Sequence, residues 1–132
     1  MPTRGYFVVN RYMLGLQAGI QAGHCAAELV HEHHSNSVVK QWVTKDKVMI
    51  VLHGGGHSDL RKLFKISQKM KIPSSIFHEG LEDLNGAATC VGMVLSDSLV
   101  EKMKTLAGAQ VLHAGDDETC ILALLKGLPL AK

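Results

Sequence analysis

Residues 17–34, QAGIQAGHCAAELVHEHH, decide the fold and carry the first candidate for a functional site. On a helix, which turns by about 100° per residue, the polar side chains of this stretch gather within one quadrant. Small and apolar side chains cover most of the remaining surface. The polar side chains are those of Gln21, His24, Glu28, His31 and Glu32. We therefore predict a helix that is buried on most sides and polar on one.

Small residues recur every four positions on this helix, at Gly19, Gly23 and Ala27. Each glycine lowers helix stability by about 1 kcal/mol relative to alanine. Close packing of a neighbouring backbone would offset that loss, so we predict that this face is tightly packed.

Strands and helices alternate around this stretch. The predicted strands occupy residues 6–10, 47–52, 74–77 and 88–95, with a short edge strand at 110–112. Further helices are predicted at 59–71 after an N-cap at Ser58, from a capping box at Ser98 to Gly108, and after the GDDE at 115–118. Residues 47–52, KVMIVL, are apolar enough for the middle of a sheet. Such alternation predicts an α/β three-layer sandwich with a mixed, mainly parallel sheet of about four strands and helices on both faces.

Length and composition favour a single soluble domain over residues 1–132. The chain is 46% hydrophobic, which is ordinary for a globular protein, and contains neither a signal-peptide layout nor a bilayer-spanning apolar run. We expect a cytoplasmic protein that does not enter membranes. Cys25, Cys90 and Cys120 lie far apart in apolar segments, so we predict three free, buried thiols.

Charge is distributed unevenly along the chain. Residues 40–71 carry eight Lys/Arg against two acids, whereas residues 72–118 carry two lysines against eight acids. The helix predicted at 59–71 presents a basic ridge, defined here as Arg61, Lys62, Lys65 and Lys69. A net charge of +2 is low for a dedicated nucleic-acid binder, so charge alone leaves the partner open.

Several local motifs are weak. The glycine loop in residues 53–57, HGGGH, lacks the GK[ST] ending of a phosphate-binding P-loop, and no GxSxG nucleophile elbow is present. His24, Glu28 and His31 share a helix stripe, but without the HExxH spacing of a zinc site. Cys25 points about 100° away from His24, which argues against a cysteine nucleophile. We expect no metal and no cofactor.

A resemblance to a known family rests on three segments: YFVVN at 6–10, QAGHCA at 21–26 and HEGLEDLN at 78–85. Together they resemble the archaeal and eukaryotic class of peptidyl-tRNA hydrolases, over about residues 5–112, with 113–132 as a C-terminal extension. Gln21 and His24 match the family's Q-x-x-H spacing, and Cys25 stands where the family usually has alanine.

The resemblance implies hydrolysis of the ester between peptide and tRNA, without a cofactor and by a homodimer. His24 would orient water or accept its proton, with Glu79 as its partner. Gln17 and Gln21 would hydrogen-bond the substrate, and Thr89 would contact the carbonyl or ribose. The basic ridge, which comprises Arg61, Lys62, Lys65 and Lys69, would bind tRNA phosphates.

The chain also departs from the family. Gln17 replaces a lysine, Glu79-Gly80 stands where the family has Asp-Ala-Gly, and the Gly-Arg-Thr run is missing. Three alternatives therefore stay open: a non-catalytic RNA- or protein-binding member, a hydrolase of another small ester or amide, and a structural role for His24 as a hydrogen-bonded histidine at the core boundary. An enzyme should bring His24 and Glu79 together in an open cleft.

Overall fold

A computed structural model describes residues 2–80, 86–106 and 116–132. The strands are β1 (Arg4–Val9), β2 (Val48–His53), β3 (Ser74–His78) and β4 (Ala88–Leu95). The helices are α1 (Leu16–Glu32), α2 (Ser37–Gln41), which continues into a π-helical turn (Trp42–Asp46), α3 (His57–Lys69), α4 (Asp97–Thr105) and α5 (Asp117–Gly127). The α/β prediction with four strands is confirmed. The predicted edge strand at 110–112 lies outside the described residues.

The four strands form one mixed sheet in the order β2-β1-β4-β3. β1 and β2 are parallel, whereas β4 is antiparallel to both β1 and β3. The prediction of a mainly parallel sheet is therefore wrong. Residues 79–87, which connect β3 to β4, are fewer than the dozen or so that a parallel crossover needs, so the two strands pair as neighbours in opposite directions. The three-layer arrangement stays a prediction.

β2 lies at the edge of the sheet and not in its middle, which corrects a second expectation. Its outer side is covered by the C-terminal segment. The Ala131 N–H donates to the Val51 carbonyl at 2.9 Å, and the His53 N–H donates to the Pro129 carbonyl at 3.0 Å. This pairing satisfies backbone groups that an open edge would expose, which explains how an edge strand can be so apolar.

The core consists of two clusters to which alternate strand residues contribute. Phe7 and Val9 of β1 pack with the buried side of α1, while Tyr6 and Val8 pack with α3, α4 and α5. The α5 residues Ile121, Leu122 and Leu125 are almost fully buried. The segment predicted as an extension thus contributes directly to the core. None of the described helices is long and apolar enough to cross a membrane.

Two helix starts differ from their predicted positions. α4 begins at Asp97 because Ser96, not Ser98, caps it, with the Ser96 hydroxyl accepting from the Leu99 N–H at 3.3 Å. α3 begins at His57, and the Asp59 carboxylate accepts from the Gly56 N–H at 3.0 Å. Because this carboxylate already occupies the start of α3, a phosphate there would meet a like charge.

The small-residue face of α1 is not tightly packed. Gly19, Gly23 and Ala27 are exposed, and a Cβ added at Gly19 or Gly23 would have nothing within 4 Å. The buried side of α1 consists instead of Ala18, Gln21, Ala22, Cys25 and Leu29. Close approach occurs instead at strand glycines such as Gly92, whose added Cβ would lie 2.5 Å from Phe7.

Alanine substitutions at two glycines should therefore have opposite effects on the free energy of unfolding. Gly23→Ala should raise it by about 0.5–1 kcal/mol, because alanine favours the helix and meets open space. Gly92→Ala should lower it by about 1–3 kcal/mol, because its methyl group would clash with Phe7. Urea unfolding measures both variants, and a destabilised Gly23→Ala would show that the α1 face is covered after all.

Candidate functional site

The strand ends meet at one edge of the sheet, which we call the carboxyl edge. Because β1 and β2 run parallel and β4 runs against β1 and β3, the ends of β1, β2 and β3 lie beside the start of β4. Ligand sites in α/β proteins are common at the carboxyl ends of parallel strands. The side chains that follow or end these strands are Asn10, His53, His78 and Glu79.

A β-bulge between β3 and β4 sets the direction of Thr89. Phe77 pairs with Cys90, but His78 pairs with Ala88, so Thr89 is an extra residue on β4. Regular alternation would place Thr89 on the same face as Val91, towards α3. The bulge turns it to the opposite face, where Thr89 and Cys90 both contact α1.

Gln21 and Thr89 form a buried hydrogen bond at this point. The Thr89 hydroxyl donates to Gln21 Oε1 at 2.7 Å. Thr89 is 0% exposed and Gln21 is 3% exposed. With its oxygen facing Thr89, the Gln21 amide directs its NH₂ group elsewhere. Within the described ranges, no residue accepts a hydrogen bond from that NH₂ group.

Asn10 is a buried residue of the site that our sequence analysis missed. Its side-chain NH₂ donates to the Ala88 carbonyl at 3.0 Å, and its backbone N–H donates to the Thr89 carbonyl at 2.8 Å. These bonds hold the bulged start of β4 against the end of β1. A polar residue directly after a buried strand was the signal that could have identified it.

His24 lies next to this pair, on the solvent side. Its exposed ring stacks on Phe77 with centroids 4.8 Å apart and planes 11° from parallel. The Phe77 carbonyl also lies 3.4 Å from the Thr89 hydroxyl, which links the stacked ring to the buried pair. Within the described ranges, neither ring nitrogen of His24 has a hydrogen-bond partner. The imidazole is therefore open to water, rather than hydrogen-bonded at the core boundary.

Gln17 and Glu79 are placed near the pair without joining it. Gln17 is exposed in the first turn of α1 and, four residues before Gln21, lies on the same helix face. Glu79 is half-buried, and its N–H continues the β3–β4 pairing by donating to the Ala87 carbonyl at 3.1 Å. Alternation along β3 directs its side chain to the face of Phe77. No described contact joins Glu79 to His24, or Gln17 to Thr89.

Two further histidines at the carboxyl edge were also missed. His57 Nδ1 accepts from the Ala88 N–H at 2.8 Å, so the neutral ring carries its proton on Nε2. The ring of His78 lies 6.1 Å from that of His57. Burial, together with the nearby His57 and Arg61, lowers the pKa of His78 below its usual value. Two sequence signals could have identified them. His57 lies at a helix start after a glycine loop, and His78 lies at the end of a strand.

The basic ridge is exposed, as predicted, but its four cations divide between two sides of α3. Arg61 and Lys65 line a groove of about 360 Å³ together with His78 of the carboxyl edge. Lys62 and Lys69 lie towards α5. Lys69 is paired with Asp117 at 2.8 Å, and this hydrogen bond raises the pKa of the lysine.

The side of α3 that faces α5 also contains an apolar cavity of about 270 Å³. It is lined mainly by aliphatic side chains and by Lys62 and Cys120, and by none of the predicted catalytic residues. Cys25 and Cys90 are buried and free as predicted, but Cys120 is exposed because α5 turns Ile121 and Leu122 inward instead. Burial raises the pKa of the Cys90 thiol well above its usual value.

Metal ligation has no support in the described ranges, where no group of three or more His, Cys, Asp or Glu side chains is placed to hold an ion. The arrangement at the carboxyl edge instead combines an oriented amide donor, an open imidazole and a hydroxyl.

A comparison with protein families gives a match. The family model described as Peptidyl-tRNA hydrolase PTH2 matches residues 5–106, which include Gln21, His24 and Thr89. A search of curated proteins found no match. The matched range covers more than half of the chain, and it ends before α5 and the C-terminal segment that pairs with β2.

A double-mutant cycle at Gln21 and Thr89 tests the buried pair. Thr89→Val should lower the free energy of unfolding by about 1–3 kcal/mol, because it leaves Gln21 Oε1 buried without a donor. Thr89→Ser keeps the hydroxyl and serves as the matched control. With Gln21→Leu also present, Thr89→Val should cost much less, giving a coupling above about 0.5 kcal/mol in chemical unfolding. Additive effects would mean that the two side chains do not interact.

Proposed function

Because the chain belongs to the PTH2 family of peptidyl-tRNA hydrolases, we propose that it hydrolyses the ester between peptide and tRNA at the carboxyl edge of its sheet. The observation that carries this proposal is the Gln21–Thr89 hydrogen bond beside the open ring of His24. All three residues lie within the matched range, and together they offer the donor and the base that ester hydrolysis needs.

In the proposed reaction, water attacks the ester carbonyl carbon while His24 accepts its proton. The carbonyl oxygen becomes an oxyanion, which the NH₂ group of Gln21 stabilises by donating a hydrogen bond. When the carbonyl re-forms, the bond to the ribose oxygen breaks, and the proton returns from His24 to that oxygen. The products are a peptide carboxylic acid, which releases its proton to solvent, and a tRNA with a free ribose hydroxyl.

Thr89 and Phe77 act in this scheme by positioning. Thr89 orients the Gln21 amide so that the donor, and not the oxygen, faces the substrate. Phe77 supports one face of the His24 ring and leaves the ring edge open. Glu79, which alternation directs to the same face of the sheet, would attract the imidazolium formed after proton transfer.

A weak enzyme is the expected outcome of the change at Gln17. Losing a cation near an oxyanion removes an electrostatic donor, and such a loss typically costs about 10²- to 10³-fold in rate. The same observation favours a second candidate, a non-catalytic member that binds RNA. In a weak enzyme, restoring a cation at position 17 should raise the rate of hydrolysis. In a non-catalytic binding protein it should not.

Restoring the charge should therefore raise activity. We predict that Gln17→Lys increases the single-turnover rate of peptidyl-tRNA hydrolysis by about 10-fold or more, and that adding His24→Ala removes this gain. His31→Ala is the matched control, because His31 is also exposed on α1 but lies two turns further from Gln17. A folded Gln17→Lys variant that binds tRNA without any faster hydrolysis would indicate the binding protein instead.

The divided basic ridge supports a route for the tRNA backbone. We propose that Arg61 and Lys65, which line the groove beside His78, bind phosphates near the site. Lys62 and Lys69 lie on the side of α5, where Asp117 already neutralises Lys69. In this proposal, two of the four cations would contact an RNA that reaches the carboxyl edge.

Salt dependence of tRNA binding distinguishes the two sides of α3. Removing Arg61 and Lys65 together, as alanines, should reduce the slope of log affinity against log salt by about 0.7–0.9 per lost contact. The matched pair Lys62→Ala and Lys69→Ala removes the same charge and should leave the slope nearly unchanged. Equal effects of the two double variants would show that general charge, and not this groove, binds the RNA.

A further inference from the structure

An exposed aromatic side chain stands beside the carboxyl edge and takes no part in the scheme above. Tyr12, in the loop between β1 and α1, is 72% exposed. Its neighbours Leu14 and Leu16 are 62% and 81% exposed. Large apolar side chains that cluster on a surface commonly mark a binding site.

The turn that carries Tyr12 is firmly anchored. The Tyr12 N–H donates to Asn10 Oδ1 at 3.1 Å, and the Arg11 N–H donates to the Gly55 carbonyl at 3.0 Å. Asn10 is itself buried and bonded to Ala88 and Thr89 of β4. The exposed ring therefore sits on a backbone fixed to the same strand end that orients Gln21.

Arg11 adds a cation to this surface. Its guanidinium carbon lies 5.0 Å from the centre of the Tyr12 ring, and its Nη2 donates to the Tyr12 hydroxyl at 3.1 Å. An aromatic ring next to an arginine matches an unpaired nucleotide, whose base stacks on the ring while its phosphate pairs with the cation. A peptide side chain would use the ring but would not need the charge.

We propose that Tyr12 and Arg11 form a stacking platform for an unpaired base at the 3′ end of the RNA substrate. This inference rests on the proposed function, which places an RNA-linked ester at the neighbouring Gln21–Thr89 pair. The Asn10 N–H bond to the Thr89 carbonyl joins the two places directly. Stacking a terminal base here would hold the ester-bearing ribose at the carboxyl edge.

The test uses an RNA hairpin with four unpaired 3′ nucleotides, the last being fluorescent 2-aminopurine, and the same hairpin with a blunt end. Stacking on Tyr12 should quench the fluorescence and make the overhang hairpin bind about 10-fold tighter than the blunt one. Tyr12→Phe should keep both effects because it keeps the ring, and Tyr12→Ala should lose both. Met49→Ala, which removes an exposed apolar side chain near the start of β2 and away from the carboxyl edge, should behave as the unmodified protein.

Different failures separate this inference from the proposed function. If the protein hydrolyses peptidyl-tRNA but Tyr12→Ala changes neither the quenching nor the affinity, only the stacking platform is overturned. Quenching that depends on Tyr12, in a protein that hydrolyses no peptidyl-tRNA, supports the platform and overturns the hydrolase. A protein that binds neither hairpin overturns both. If Tyr12→Ala raises KM for bulky peptides but leaves hairpin binding unchanged, the ring contacts the peptide and the platform is wrong.

Discussion

The candidate site depends on one irregularity in strand pairing, the bulge that places Thr89 on the same face of the sheet as Cys90. Without the bulge, Thr89 would face α3, and the buried Oε1 of Gln21 would have no hydroxyl donor. Leaving that oxygen unpaired would lower the free energy of unfolding by about 1–3 kcal/mol. With it, the Gln21–Thr89 bond fixes how α1 sits on the sheet. That placement in turn sets the His24 ring on Phe77.

The sequence predicted the elements well because their patterns are local. Helical periodicity identified α1, and β-branched and apolar runs located the four strands of the sheet. The periodicity put Gln21 on the same polar face as His24, however, whereas the structure buries Gln21 and leaves His24 exposed. Pairing partners are not local. Neither the bulge at Thr89 nor the C-terminal segment that covers β2 leaves a trace in spacing, so the sheet order and the burial of Gln21 required the structure.

The wrong predictions about the surfaces of α3 and α1 also arose because packing partners are not local in the sequence. A four-residue repeat predicted one basic ridge on α3, but α5 packs along one side of that helix, and Asp117 pairs with Lys69. A small-residue repeat predicted a packed face on α1, yet Gly19 and Gly23 remain open to solvent. Periodicity shows which residues lie on the same face of a helix. Whether that face contacts solvent or another element depends on how the rest of the chain packs.

The central claim is that the Gln21 amide and the His24 imidazole form one site for a peptidyl ester of RNA. NMR titration with an adenosine bearing a peptide on a non-hydrolysable 3′-amide tests it most directly. The account predicts that the side-chain NH₂ signals of Gln21 and the ring signals of His24 shift together at the lowest ligand concentrations. Shifts that begin in the apolar cavity beside Cys120, and leave Gln21 and His24 unchanged, would contradict it.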